Sequence, residues 1–512
     1  MVAALSGLAG KVPAAFAQSD SGSVLRLGDP QPFAPSQVRA KARDLASRPY
    51  EPPPDNVSAE IRDLNYDQYR DIRFRPDMAI WRGRNLPAEV QMFHLGHVFE
   101  QPVQVNIVSG GNARHVVFSP DLFDYGPLVP MPMPPEDVGF SGFRLHGPLN
   151  RTDYNDEFAV FQGASYFRAV GRDQVYGLSA RGLSLRTAEP EGEEFPAFRE
   201  FWIEEPRPGA GSIVVHALLD SPSTSGSYRF TIRPGLDTVI DVEATLYPRV
   251  DIQKVGLATL TSMYYFGPQD RLGIDDFRPA VHDSDGLLIW NGRGEWLWRP
   301  LINPARLQIS AFLDEHPQAF GLMQRSREFA KYQDLEAHYE RRPSLWVEPI
   351  GDWGEGAVML VEIPTDSEIH DNIVAFWRPK EPLRAGEDSQ FTYRLTWCAE
   401  VPAESGLARV TGTMIGGPAA NNGNAPADRR WIVVDFVGGP LDGIATEDQP
   451  VPDVSASGGK LVPGTIQFNP ETGGRRVAFG LDPEGATNID LRCALMQNGN
   501  RISEVWVFRW SE

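Results

Sequence analysis

The chain has 512 residues, of which 41% are hydrophobic, and this is enough apolar material for a substantial core and for more than one domain. Its formal charge of −20, with no stripe of lysine or arginine to offset it, excludes nucleic acid as a partner but is compatible with a neutral polymer. The 44 prolines, 48 glycines and 12 tryptophans favour many short strands joined by turns, so we predict a mainly β protein rather than a helical bundle.

The N-terminus carries a pattern typical of exported proteins. Small and apolar residues lead to Ala15-Phe16-Ala17, an A-x-A cleavage pattern, although the basic segment that usually precedes it is missing. No later stretch approaches the roughly 18 apolar residues of a membrane span. We therefore expect residues 1–17 to be the remnant of an export signal, and the mature chain to begin near Gln18 and to be soluble outside the cytoplasm.

The predicted elements begin with a short helix and continue as a long series of strands. Ser36 is suited to cap a helix that extends to about Ser47. From about residue 90 strand patterns recur, and in residues 240–246 apolar and polar side chains alternate with the period of a half-buried strand. Repeated antiparallel pairs of such strands imply a large β-sandwich, interrupted by one longer helix at residues 327–343.

The pattern changes near residue 405. A linker at residues 401–410 is followed by a block of short strands separated by turn residues. The block has about 100 residues, the usual size of an immunoglobulin-like sandwich. We therefore predict a large β-sandwich domain at residues 18–400 and a smaller one at residues 411–512.

The chain has two cysteines, Cys398 and Cys493. They form no CxxC pair and belong to no cluster of cysteine and histidine with zinc-site spacing, so we predict no structural metal and no other cofactor. A disulfide between them stays open as an alternative, because their separation in space cannot be read from the sequence.

Three segments combine carboxylates with tryptophans: residues 277–300, 338–356 and 361–377. This combination is expected where sugar rings stack on apolar faces while their hydroxyl groups bind charged acceptors, so it indicates a carbohydrate site. The third segment holds a tight cluster of Asp366, Glu368 and Asp371. These carboxylates form either a solvated loop face or a site in which one of them is partly desolvated and acts as a general acid.

A second cluster lies in the sequence HDSDG. Asp283 and Asp285 have the spacing of a calcium loop, but its twelfth position is Gly294 rather than glutamate. The alternative is a turn in which the aspartate side chains bind nearby backbone amides. His282 and His370 each lie beside an aspartate. Because the chain has no GxSxG motif, a structural or surface histidine is favoured over the base of a triad.

Several segments taken together resemble a known family. They are YRDIRFRPDMAIWRG, TSMYYFG, HDSDGL, RPSLWVEPIGDWG and VEIPTDSEIHDNIVAFWRP. They are similar to the periplasmic glucans biosynthesis proteins G and D, which serve osmoregulated periplasmic glucans, and the resemblance extends from about residue 30 to the C-terminus. It implies a periplasmic protein with a galactose-mutarotase-like β-sandwich domain followed by a smaller immunoglobulin-like domain.

The resemblance also implies an activity, since members of the family are recognised as inverting endo-β-1,2-glucanases. The general acid of the family's DNIVAFW motif falls on Asp371, and the base-side aspartate of HDSDG falls on Asp283. A tyrosine that helps to relay protons falls on Tyr339, and Glu368 matches a nearby acidic position. Some members show weak hydrolysis or none.

On this basis we expect Asp371, Asp283 and Tyr339 to be catalytic and β-1,2-glucan chains to be the substrate. The expected substrate-binding residues are Glu368, Asp285, His282, Trp346 and Arg341. The alternative is a non-hydrolytic factor that binds or branches the same glucans and escorts them from a membrane glucan synthase. A mutarotase-like epimerase is a more distant alternative, suggested by the fold alone.

Overall fold

A computed structural model describes residues 24–53, 57–129, 138–417 and 428–511. The export-signal remnant expected at residues 1–17 lies outside these ranges. Within them, no helix is long and apolar enough to cross a membrane. Strands dominate the described chain, which confirms the predicted mainly β class.

The described residues form 35 strands, numbered in chain order. The first twelve are β1 (Arg26–Leu27), β2 (Gln31–Pro32), β3 (Ile72–Phe74), β4 (Glu89–Phe93), β5 (Gln104–Ser109), β6 (Asn112–Val117), β7 (Phe123–Tyr125), β8 (Gly142–Gly147), β9 (Asp156–Gln162), β10 (Tyr166–Ala169), β11 (Ser179–Arg181) and β12 (Ser184–Leu185). The next eleven are β13 (Ala197–Glu204), β14 (Ile213–Asp220), β15 (Thr224–Arg233), β16 (Thr238–Pro248), β17 (Val255–Ser262), β18 (Tyr264–Phe266), β19 (Val281–His282), β20 (Gly286–Trp290), β21 (Trp296–Pro300), β22 (Gln308–Glu315) and β23 (Ala319–Met323). The last twelve are β24 (Ser344–Ile350), β25 (Glu355–Glu362), β26 (Ile373–Pro379), β27 (Ser389–Cys398), β28 (Arg409–Gly416), β29 (Arg430–Val437), β30 (Val451–Ala456), β31 (Lys460–Asn469), β32 (Gly474–Asp482), β33 (Asn488–Gln497), β34 (Asn500–Arg501) and β35 (Val505–Ser511).

The α-helices among the described residues are few and short. They are α1 (Pro35–Ala46), α2 (Ala59–Arg62) and α3 (Tyr66–Arg70). The prediction that Ser36 caps the first helix is wrong by two positions. Pro35 occupies the first turn, where its missing N–H costs nothing, and the N-cap is Ala34, whose backbone N–H donates to the Gln37 side chain at 3.0 Å.

The longer helix predicted at residues 327–343 is also wrong. The segment holds only two turns of 3-10 helix, Phe329–Lys331 and Tyr339–Arg341. Gln333 and His338 have positive φ angles, which a right-handed helix does not allow. The Asp334 carboxylate accepts hydrogen bonds from two backbone N–H groups that follow it, and such local bonds compete with a helix.

Two large sheets pack face to face. One has the strand order β22-β25-β26-β17-β11-β10-β9-β8-β4, with β12 also paired to β17. The other follows the order β6-β5-β13-β14-β15-β16-β27-β24-β23-β20-β21-β35-β33-β30, in which only the pairs β5·β13 and β21·β35 are parallel. The ring of Phe143 on the first sheet lies 5.1 Å from that of Phe201 on the second, and the ring of Phe167 lies 5.1 Å from that of Phe230. This aromatic layer is the core of the predicted large sandwich.

The C-terminal block forms a smaller pair of sheets. β28-β29-β32-β31 packs against β30, β33 and β35, and the ring of Phe479 lies 6.2 Å from that of Trp506 between them. The parallel pair of β21 with β35 joins Leu297 to Val505, so the second large sheet contains strands from both sides of residue 405. The division near residue 405 and the family names of the two folds stay predictions.

Cys398 and Cys493 are both free and buried, so the disulfide left open by the sequence does not form. They belong to the apolar cluster of the C-terminal block. Burial raises the pKa of both thiols. The two side chains therefore act as small apolar residues.

Candidate active site

The cluster of Asp366, Glu368 and Asp371 lies on one loop at the end of a buried hairpin. β25 and β26 pair up to Glu362↔Ile373, because their apolar runs are buried within the sheet. The connecting residues 363–372 are called the acidic loop here. On it, Asp366 and Asp371 are exposed and line a groove of about 870 Å³, together with Asn303, Pro304, His370 and Asn372.

Two buried or half-buried asparagines fix both ends of the acidic loop. The Asn372 carboxamide accepts from the Tyr264 N–H at 2.8 Å and donates to the carbonyls of Tyr264 and Ile363 at 2.9 and 3.0 Å. Asn303 donates to the Thr365 carbonyl at 2.8 Å and accepts from its N–H at 3.0 Å. Asp371 is exposed, but its backbone is therefore held by an anchored neighbour.

Asp283 follows directly after β19. It is buried, and its carboxylate accepts a hydrogen bond from Nη1 of Arg342. Burial raises the pKa of Asp283 to about 6; the charge of Arg342 opposes this shift, and the negative charge of Asp371 adds to it. Asp283 is therefore mainly ionised at neutral pH but can accept a proton at little cost.

Tyr339 and Glu368 connect the buried part of the site to the acidic loop. The Tyr339 hydroxyl, which is buried, donates to Oε2 of Glu368 at 3.0 Å. Burial also raises the pKa of Tyr339, so the hydroxyl keeps its proton at neutral pH. The guanidinium of Arg342 lies 4.3 Å from the centre of the Tyr339 ring, which places Asp283, Arg342, Tyr339 and Glu368 in one contiguous group.

A single arginine draws three loops together beside this group. Nη1 of Arg278 donates to Oε2 of Glu368 and to Oδ2 of Asp334, both at 2.8 Å, and its other nitrogens bind Asp276. Arg278 with these three carboxylates is called the Arg278 hub here. Of the three carboxylates in the acidic loop, Glu368 is therefore the one most withdrawn from water, whereas Asp366 and Asp371 match the solvated alternative in the free protein.

Two of the expected substrate-binding residues lie in the interior. Nδ1 of His282 lies 2.9 Å from the Gln324 carboxamide oxygen, and its ring stacks on Tyr264 at 5.2 Å. Burial lowers the pKa of His282 to about 4, so this histidine is neutral. Trp346 is fully buried and stacks on Trp296 at 6.0 Å. Neither side chain reaches the groove.

Asp285 and Arg341 each bind a backbone group of another segment rather than Asp283. Oδ2 of Asp285 accepts the backbone N–H of Arg325 at 3.1 Å; the two residues are 40 positions apart, so this is not the local turn that the sequence left open. Burial raises the pKa of Asp285 to about 6. Arg341 is exposed, and its Nε donates to the Asp173 carbonyl at 3.1 Å. Within the described ranges, no three His, Cys, Asp or Glu side chains form a group that could hold a metal ion.

Sequence reasoning missed four residues of this site: Arg278, Arg342, Asn303 and Asn372. The two arginines stand in segments 277–300 and 338–356, which the sequence analysis had singled out. A positive charge in a segment rich in carboxylates could have indicated that each arginine pairs with one of them. Nothing in the sequence marks the two asparagines, since their role depends on which backbone atoms the fold places next to them.

Comparisons with known proteins bear on the whole chain. The family described as "Periplasmic glucan biosynthesis protein, MdoG" matches residues 33–510. The chain is 50% identical to "Glucans biosynthesis protein G" of Shewanella sp. (strain MR-4) over 499 residues, which is 98% of this chain and 90% of the relative. It belongs to the periplasmic glucan biosynthesis protein family.

Other members of the periplasmic glucan biosynthesis protein family are equally similar. "Glucans biosynthesis protein G" of Vibrio cholerae serotype O1 (strain M66-2) is 50% identical over 489 residues, covering 96% of this chain and 89% of its own. "Glucans biosynthesis protein G" of Shewanella putrefaciens (strain CN-32 / ATCC BAA-453) is 52% identical over 479 residues, which is 94% of this chain and 87% of the relative. The family resemblance found in the sequence is thus confirmed, and membership supports a role in glucan biosynthesis.

The family name also implies a periplasmic location. The matched range, residues 33–510, includes the acidic loop, the HDSDG segment and the Arg278 hub. The whole candidate site therefore lies within the part of the chain that the periplasmic glucan biosynthesis proteins share.

Proposed function

We propose that the protein hydrolyses β-1,2-linked glucose chains in the periplasm as an inverting endo-glucanase. The observation that carries this proposal is that an exposed aspartate on the wall of a groove, Asp371, lies near a buried aspartate, Asp283. The charge of Asp371 is close enough to raise the pKa of Asp283. A pair of carboxyl groups in unlike surroundings is what acid and base catalysis by one site requires.

In this mechanism Asp371 protonates the glycosidic oxygen that leaves. A glucan bound in the groove would bring its glycosidic oxygen against the exposed carboxyl group of Asp371. A water molecule attacks the anomeric carbon from the opposite face and loses its proton through a relay that ends at Asp283. Because one displacement occurs, the configuration at that carbon inverts.

The proposal also requires a particular distance between the two carboxyl groups. Acid and base of an inverting enzyme stand ~6.5 to 9.5 Å apart, or farther when a hydroxyl group relays the proton, whereas those of a retaining enzyme stand at ~5 to 5.5 Å. Tyr339 is the proposed relay, because it keeps its proton and lies against Arg342, the partner of Asp283.

One observation favours the non-hydrolytic alternative. The Tyr339 hydroxyl donates to Glu368 and Asp283 accepts from Arg342, so in the free protein the relay and the base are bound to different partners. Hydrolysis needs a substrate hydroxyl or water to join them, whereas binding needs only the groove. A glucan-binding or branching factor that receives chains from a membrane synthase would use the same groove.

Incubating the purified protein with linear β-1,2-glucan separates the two roles. If the protein hydrolyses the glucan, shorter oligosaccharides should accumulate with time. They should be absent when the Asp371→Asn variant is used in place of the native protein. Saturable binding of the glucan without shorter products would establish the binding role instead. Absence of both would rule out β-1,2-glucan as the substrate class.

A further inference from the structure

Strongly exposed apolar side chains cluster around the Arg278 hub. In the described part of the chain, five large apolar residues are at least 79% exposed, and four of them lie on the loops around the Arg278 hub. These four, called the apolar rim here, are Leu272 (100%), Phe277 (81%), Leu335 (79%) and Ile369 (80%). Single exposed apolar residues are normal on a protein surface, but a group of them beside a groove indicates a binding surface.

The Arg278 hub holds three rim residues near one another. Phe277 lies between Asp276 and Arg278 in the chain, Leu335 follows Asp334, and Ile369 follows Glu368. Because Arg278 binds all three carboxylates directly, the loops that carry these apolar side chains meet at one guanidinium. The rim is thus held in place by ion pairs although its side chains are exposed.

Phe277 is the aromatic member of the rim. The centre of its ring lies 6.0 Å from Cζ of Arg278, at the outer limit of a cation–π contact. This contact orients one part of the ring, and the rest of it faces solvent. A flat apolar face of this kind is what the C–H face of a sugar ring packs on.

The position and charge of the apolar rim favour a neutral sugar chain over an anionic ligand. Ile369 is followed by His370 and Asp371, which line the groove, so the rim adjoins the groove at Ile369. The carboxylates around it, including Asp276 and Asp334, would repel an anionic lipid surface or an anionic polymer. A neutral sugar chain meets no such repulsion.

We propose that Phe277 stacks on a glucosyl unit of a chain that extends out of the groove, and so favours long glucans over short ones. This rests on the proposed function for the identity of the chain. The rim adds a contact that only chains long enough to leave the groove can make. Short oligosaccharides that fill the groove alone gain nothing from it.

The test is calorimetric titration with β-1,2-glucans of increasing length in an Asp371→Asn background, which prevents cleavage during the measurement. Adding Phe277→Ala should weaken the binding of long chains about fivefold and leave that of short ones unchanged, whereas Phe277→Trp should preserve both. Leu313→Ala is the matched control. Leu313 is 87% exposed, but it pairs with Ala357, about 17 Å along β25 from the acidic loop.

Three outcomes overturn the inference. If the affinities of the Phe277→Ala protein match those of the Asp371→Asn parent for glucans of every length, Phe277 has no part in binding and the proposed function stays intact. Failure of every variant to bind the glucan would overturn the substrate class together with the rim. Loss of self-association in Phe277→Ala during sedimentation, with unchanged glucan affinity, would assign the rim to contact between copies of this chain.

Discussion

The chemistry of the site depends on how Asp283 is held. It is a carboxylate in the interior, where loss of water raises its pKa to about 6, and Arg342 keeps this pKa from rising further. The same arginine packs on Tyr339, the proposed relay, at 4.3 Å. Arg342 therefore acts as a positioning residue for both groups while it tunes the charge of the proposed base.

Asp371→Asn is the sharpest single substitution. The amide keeps the size and most of the hydrogen-bonding shape of the carboxyl group but has no acidic proton to donate. We expect cleavage of β-1,2-glucan to fall by at least ~10²-fold while binding persists. Rates of product formation and glucan affinity, measured on the same preparation, check this; near-normal turnover would exclude Asp371 as the acid.

The pH dependence of cleavage should report Asp283. A protonated Asp283 cannot accept a proton, so kcat/KM should fall as the pH drops through about 6. Arg342→Gln removes a positive charge that lowers this pKa, and the fall should therefore begin at a higher pH. Arg342→Lys keeps the charge and serves as the control. An acidic limb at the same pH in Arg342→Gln and the native protein would contradict the assignment.

At the scale of elements, the backbone of the acidic loop is held in a defined position because its two ends are anchored. Asn372 makes three hydrogen bonds to the backbone of Tyr264 and Ile363, and Asn303 makes two to Thr365. The backbone groups they bind belong to β18 and to the loop itself. The loop thus carries exposed carboxylates on a framework that is fixed at both ends.

Asn372→Ala should lower both stability and turnover. It leaves the N–H and carbonyl of Tyr264 without their partner in the interior, which costs about 3 kcal/mol in the free energy of unfolding. Denaturant titration measures the loss, and kcat should fall more than the affinity for glucan because Asp371 is misplaced. Ser367→Ala, on the same loop, should leave both unchanged. A variant with native stability and native kcat would show that the anchor is dispensable.

Two of the elements show which parts of the secondary structure can be predicted from the sequence and which cannot. The alternation in residues 240–246 predicts β16 correctly, because the strand's two faces are set by local pattern: Ile240 and Leu246 are fully buried and Glu243 is exposed. The helix predicted at residues 327–343 fails because Asp334 binds the local backbone and also Arg278, a partner 56 residues away.

For the site residues too, local motifs are readable in the sequence, whereas contacts made by the fold are not. Asp371 and Asp283 are proposed from the motifs that carry the family resemblance, and their catalytic roles stay predictions. Trp346 and His282 are chosen for their chemistry, but the pairing of β24 and β19 within the sheets turns both inward, and this pairing cannot be read from a single strand. Arg342 escapes notice because the partner of a buried carboxylate is decided by the fold.

At the scale of the whole molecule, the C-terminal block is joined to the large sandwich rather than merely linked to it. β35 continues the large sheet beside β21. Arg325, whose N–H donates to Asp285 in the HDSDG segment, makes two hydrogen bonds to Glu504 at 2.7 and 2.8 Å. Its guanidinium also lies 3.7 Å from the centre of the Trp298 ring. The segment that carries Asp283 is therefore supported by residues of the C-terminal block.

This joint predicts cooperative unfolding. Scanning calorimetry of the native chain should show a single transition, because the shared sheet couples the two parts. Glu504→Gln leaves Arg325 largely buried without its charged partner and should lower the stability of the whole transition by about 3 kcal/mol. Arg409→Gln, which removes an exposed ion pair with Glu400, should change little. Two separate transitions, of which only one responds to Glu504→Gln, would show that the parts unfold independently.

The central claim is that Asp371 and Asp283 cleave a β-1,2-glucan by a single displacement. Proton NMR of the first products, recorded before the sugar equilibrates in water, tests it most directly. The α configuration at the new reducing end is the predicted result. A nascent product in the β configuration would mean retention and would contradict the roles assigned to both aspartates.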